Sequence, residues 1–195
     1  MQTPHAIPLT AAKPWRMLLL LIGSLLFACA GKTQAEALTI CYHYGCSKSA
    51  SFFPAADTRD EVAALFKQVA SAPEERAAIS LAVQRLYREA AQHAPIASDK
   101  GGNLADGTAD GRMDCVDHSQ NDTTFLHYLA RQGLLQHHRV ADTVWRAPWI
   151  IDLHYASRII ETADDSNWVV DSWFFDFGHE PVIVPYQLWK KGYHP

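Results

Sequence analysis

Helix-period sequence runs out at Gly133, and strand-like sequence takes over from there. In 57–70, "DTRDEVAALFKQVA", Val62, Leu65, Phe66 and Val69 follow the i, i+3, i+4, i+7 spacing of one helical face. After Pro73, a residue suited to a first turn, Ile79, Ala82, Val83, Leu86, Tyr87 and Ala90 mark a second buried face. A third helix is expected from about Asp114 to Gln132, with Phe125, Leu126, Leu129 and Ala130 inside and Gly133 as its stop. Beyond it, "HRVADTVW", "IIDLHYASRIIE" and "NWVVDSWFF" are rich in β-branched and aromatic residues, and "TADDSN" joins the last two as a hairpin turn. The proline-bearing tail, "EPVIVPYQLWKKGYHP", reads as an edge strand or extended arm. Helices followed by strands point to an α+β domain, with the first two helices as its scaffold.

The beginning of the chain stands apart from that domain. Lys13 and Arg16 precede the apolar run "MLLLLIGSLLFACA", which is short for a membrane span and laid out like a secretory signal. "TQAEA" offers cleavage after Ala35. "LFAC" offers a competing lipobox with Cys29 as the lipidated residue, although Phe27 is bulky for that motif. The expected division is therefore a signal peptide over 1–35 and a single domain over 36–195, in the bacterial periplasm or at the cell envelope as a lipoprotein. Cleavage after Ala35 removes Lys13, Arg16 and Lys32, taking Lys+Arg from 17 to 14 against 21 acids, a net of −7. No basic patch remains to track a phosphate backbone, which excludes nucleic acid as the expected partner. No other segment has the length and apolarity of a membrane span.

Without Cys29 the cysteines are Cys41, Cys46 and Cys115. Cys41 and Cys46, in "CYHYGC", are close enough to bridge, and Gly45 allows the tight loop. Cys41, His43 and Cys46 are alternative metal ligands, but an oxidising compartment favours the disulfide, and no metal is assigned. A redox role for the pair is weaker still, because the spacing is not Cys-x-x-Cys. Residues 94–113, "APIASDKGGNLADGTADGRM", form a long loop of the kind that is often functional or mobile. Its acids Asp106 and Asp110, with Asp114, raise calcium as a minor alternative, though their spacing matches no EF-hand.

Cys115 is left over at a helix start, where a helix N-terminus and a neighbouring imidazolium favour a thiolate. A nucleophilic thiol needs a base, and the base needs a group to orient it. "MDCVDHSQNDTTFLHYLARQGLL", then "DLHYASRII", then "WVVDSWF" supply Cys, His and Asp in that order on a helix and two strands. Over residues 111 to 177 these segments resemble the transglutaminase-like cysteine peptidase superfamily, within the papain-like fold. "VVDSW" also resembles the Asn-Ser-Trp segment of papain-type proteases, with Asp171 in place of Asn. The resemblance implies a papain/transglutaminase-like core in which N-terminal helices, with the nucleophile at a helix N-terminus, pack on an antiparallel sheet. It implies Cys115 as nucleophile, His154 as general base and acid, Asp171 as the orienting acid, and Trp173 as a shield over the pair. Asp114 and Asp117 are read as support, capping the third helix. His118 is a rival base with no orienting acid identified, and Asp152 is a second-choice orienting acid. Ser119 is read as structural, and His137 and His138 as surface residues.

The implied activity is cleavage or transfer of a peptide or amide bond through a thioester, on a peptide or protein substrate at the cell envelope and with no cofactor. The alternative from another class is a catalytically silent transglutaminase-like binding or assembly module. A hairpin centred on "DDSN" pairs residue 163 with 168, which places residue 177 rather than Asp171 opposite His154. A bulge or an off-centre loop is needed to bring the triad together.

Overall fold

Among the described residues, four helices and two antiparallel sheets make up an α+β chain. The computed structural model describes Gln2 and residues 36–107, 109–148 and 153–195. Apart from Gln2, the expected signal segment over 1–35, with Cys29, lies outside the described residues, as does Asp152.

Strands β1 (Leu38–Tyr42) and β2 (Lys48–Phe52) form a hairpin whose tip is the "CYHYGC" stretch, closed by the expected Cys41–Cys46 disulfide. This hairpin is not apparent from the alternation of apolar residues in the sequence. Helix α1 (Ala56–Leu65) ends a turn early, at a Phe66 cap, yet Val62 and Phe66 still enter the core. Helix α2 (Ala72–Ala90) starts at Ser71, whose side chain accepts the Glu74 amide, with Pro73 in the first turn. Helix α3 (Cys115–Arg131) lies between the hairpin and the larger sheet. Phe125, Leu126 and Leu129 are fully buried there with Ile40, Val83, Leu86 and Ile159.

The larger sheet is a meander in chain order: β3 (His138–Arg146), β4 (His154–Glu161), β5 (Asn167–Asp171) and β6 (Val182–Pro185). The tail thus supplies an edge strand, as expected, and then a short helix, α4 (Tyr186–Lys190), in place of an extended arm. Alternation along the strands separates two faces. Ile159 and Val170 join the main core under α3, whereas Ala156 and Val169 pack on Trp189 of α4. The β4–β5 turn lies two residues earlier than one centred on "DDSN": Glu161 N–H bonds Ser166 O at 2.9 Å, and the ladder runs from Ile160↔Asn167 to Ser157↔Val170. No bulge interrupts it. Continued, that register sets Ala156 opposite Asp171, so His154 lies one diagonal step away on the same face.

The 94–113 loop is tied down at several points rather than free. Asp99 accepts Met113 N–H at 2.7 Å, and Gly102 N–H bonds Trp173 O at 2.8 Å. A Cβ on Gly101 would stand 2.4 Å from the Phe175 main chain, so only glycine lets the loop approach this closely. The acids weighed for calcium have separate partners. Asp106 accepts Tyr44 Oη at 2.6 Å, Asp110 pairs with Lys48 at 3.0 Å, and Asp114 caps α3.

His138 is buried, not superficial. Its ring and the amides of Gln136, His137 and His138 all converge on Glu75 at 2.6–3.0 Å, which joins α2 to the start of β3. Glu75→Ala strands these donors in the interior. It is expected to cost about 3 kcal/mol or more, read from the urea midpoint.

Candidate functional site

Three elements meet where β5 leaves β4. Cys115 is the first residue of α3. The helix begins there because Asp114 accepts the Val116 and Asp117 amides at 3.1 and 3.0 Å, and Asp117 returns the bond to Asp114 N–H at 3.2 Å. This reciprocal capping box fixes the first turn. Pairing of β4 with β5 stops at Ser157↔Val170. At the start of β4, before that pairing begins, stands the Cys115 sulfur, 3.9 Å from Leu153 O and bonded by the Tyr155 amide, on either side of His154.

His154 Nε2 and Asp171 Oδ2 are 2.6 Å apart, and both side chains are buried. The other Asp171 oxygen accepts Trp173 N–H at 3.2 Å. Trp173 packs its ring 4.6 Å from that of His154, with Phe174 at 5.5 Å and Trp189 at 5.6 Å. Trp189 also donates its indole N–H to Asp171 Oδ2 at 2.8 Å. Because Asp171 alternates onto the same face as Val169, it meets α4. An ionised Asp171 places the imidazole proton on Nε2 and leaves Nδ1 as an acceptor. Nδ1 is buried and, among the described residues, has no hydrogen-bond partner.

The field at Cys115 differs from the expectation. Burial pushes its thiol up, and the Asp114 and Asp171 carboxylates add to the rise; the Tyr155 amide and the cysteine's own amide only partly oppose it. The helix N-terminus does not by itself hold a thiolate here, because burial and the carboxylates of Asp114 and Asp171 outweigh it. Asp117 is affected by the same enclosure: burial first, then Asp114, push its carboxyl up to about 6.

His118 occupies a separate array on the opposite side of β5. Its Nε2 lies 3.0 Å from Asp99, the orienting acid that its sequence context did not reveal, and its Nδ1 lies 2.7 Å from Ser172 Oγ. Ser172 in turn donates to Asp122 at 2.9 Å, with Tyr87 Oη at 3.1 Å. Tyr87, Asp99, His118 and Ser172 line a pocket with room for about one water, about 10 Å³. The array has the residue types of a Ser-His-Asp triad without its hydrogen-bond directions, since the serine hydroxyl donates to Asp122. Burial works against charge on His118, but the Asp99 bond and the charges of Asp99, Asp122 and Asp171 outweigh it and raise its pKa. Both ring nitrogens are engaged, and Ser172 directs its hydroxyl proton to Asp122 rather than to His118. Ser119 donates to Val116 O within α3 at 2.9 Å. Cys41, Cys46 and Asp117 lie close together, but the two sulfurs are joined in the disulfide.

No family model, curated protein or solved structure matches the chain.

Burial pushes the Asp122 carboxyl up to about 7, although His118 beside it pulls the other way. A group that binds its proton more tightly when folded stabilises the fold only while that proton stays bound. For Asp122 this share is full below 3.8 and lost by about pH 7. For His118 it is full below 6.5 and lost above the raised value. Melting temperature is therefore expected to fall between about pH 5 and pH 8, and Asp122→Asn to flatten the fall. Separately, Trp189→Phe keeps the ring but removes the bond to Asp171; a denaturant melt should show a loss of about 1.5–3 kcal/mol.

Proposed function

We propose that this chain is an exported thiol enzyme with a papain/transglutaminase-like core, which cleaves or transfers an amide bond through a Cys115 thioester. The observation that carries the reading is the His154 ring: Asp171 holds Nε2 at 2.6 Å, while buried Nδ1 is left without a partner. That ring sits between the two residues whose main chain meets the Cys115 sulfur.

In this mechanism His154 Nδ1 takes the thiol proton as Cys115 Sγ attacks the carbonyl carbon. Asp171 and Trp189 keep the resulting imidazolium in place, and the aromatic rings exclude water from the pair. The Cys115 amide, at the helix start, is one donor for the developing oxyanion. The imidazolium then protonates the leaving amine, and the C–N bond breaks to leave a thioester. Water, deprotonated by the neutral ring, releases the acid and regenerates the thiol. An amine in place of water gives acyl transfer; hydrolysis is favoured because water is abundant. The substrate class is a peptide or protein at the cell envelope. Because the resting thiol is pushed up, proton transfer to His154 belongs to the attack itself rather than preceding it.

One observation favours a second reading, a silent binding module of the same fold: the acids and the burial that raise the Cys115 thiol. Labelling separates the two. For the enzyme, iodoacetamide labelling of Cys115 near pH 7.5 should slow about tenfold or more in His154→Ala and in Asp171→Ala. Hydroxylamine should also trap an acyl group from a peptide substrate on wild type but not on Cys115→Ser. Equal labelling in all three proteins, with no trapped acyl group, would leave the binding module.

A further inference from the structure

The tip of the β1–β2 hairpin docks on the start of α3. Gly45 N–H bonds Asp114 Oδ2 at 3.0 Å and Cys46 N–H bonds Asp117 Oδ1 at 2.6 Å, so the tip reaches both members of the capping box. His43 N–H bonds Arg112 O at 2.7 Å, just before the helix. One residue of the bridge is clamped two turns further along, where Asn121 accepts Cys41 N–H at 2.6 Å and donates to Cys41 O at 2.9 Å.

The tip has an unusual backbone. His43, Tyr44, Gly45 and Cys46 all have left-handed φ values, from 59° to 70°. For the residues other than glycine that conformation is strained. It persists because the chain is closed on itself through Cys41 and Cys46 and because its amides have acceptors. The result is a run of N–H groups turned toward two carboxylates that flank Cys115. The Asp114 carboxylate opposes a negative sulfur, and the Gly45 amide engages that carboxylate directly.

Taking Cys115 as the nucleophile, we propose that the Cys41–Cys46 disulfide is a positioning element for it, so that this thiol site works only while the neighbouring bridge is closed. Cys46 is exposed while Cys41 is buried, so a dithiol reaches the bridge at the Cys46 sulfur. The dithiol gives two protons and two electrons to Cys41 and Cys46 as their S–S bond breaks, and closes to its own disulfide. The tip then relaxes from its left-handed turn, the Gly45 and Cys46 amides leave Asp114 and Asp117, and the first turn of α3 loosens. Thiol reductants, which protect a nucleophilic cysteine, thus act against this one.

The test uses the full chain with the bridge closed, the same chain after dithiothreitol, and the Cys41→Ser/Cys46→Ser double variant. Amide exchange at Val116 and Asp117 is expected to speed up at least tenfold when the bridge opens, while exchange along α2 stays unchanged. That contrast separates a local effect from unfolding. Labelling of Cys115 near pH 7.5, read by peptide mass, is expected to slow about tenfold, as it does when a thiol pKa rises by about one. Unchanged exchange at Val116 and Asp117, or labelling that stays equal or accelerates, overturns the proposal. If exchange responds to the bridge but labelling is indifferent to His154 throughout, the enzyme reading fails instead.

Discussion

The first turn of α3 is the constraint on which the rest of the site depends. A helix buried among the hairpin, α2 and the meander has little freedom along its length, so the place where it starts sets the position of Cys115. Asp114 and Asp117 set that start by satisfying amides that a helix N-terminus leaves unpaired. The disulfide-closed tip then holds the two acids from outside. One of these acids, Asp114, also adds to the rise that burial imposes on the sulfur's pKa, so position and charge pull against each other at one residue. In the proposed mechanism, a base that takes the proton during attack resolves that opposition.

Asp171 and Ser172 distribute their side chains to opposite faces of the sheet, and each anchors a different polar array. Asp171 joins His154 and Trp189 on the α4 face. Ser172 joins His118, Asp122 and Tyr87 on the α3 face. The two arrays show how environment divides like residues. His154 keeps one ring nitrogen without a partner, while both nitrogens of His118 are engaged and its ring is surrounded by acids. A histidine in the first state has an acceptor to offer; in the second both nitrogens are committed to holding the fold.

Much of the fold was legible because burial leaves a periodic mark. The faces of α2 and α3 are read from Ile79, Val83, Leu86, Phe125 and Leu129, and Pro73, Asp114 and Gly133 carry local start and stop chemistry. The β1–β2 hairpin left no such mark: its strands are short, and β2, "KSASF", is polar and mostly exposed. The turn after β4 was placed too far along, because "TADDSN" carries turn formers throughout and composition does not say which of them form the turn. Helix α4 was missed because its five residues follow Pro185 in a tail that otherwise looks extended.

Local chemistry written in adjacent residues was open to reading from the chain: the bridge between Cys41 and Cys46, the helix beginning at Asp114, and the order in which Cys115, His154 and Asp171 occur. Contacts between residues far apart in the chain were not. Trp189 reaching Asp171, Asp99 reaching His118 and Gly45 reaching Asp114 arise only when strand register and helix packing bring separate segments within hydrogen-bonding distance. The state of the Cys115 thiol belongs with these, since burial and the distance to each carboxylate decide it, and both are properties of the folded chain.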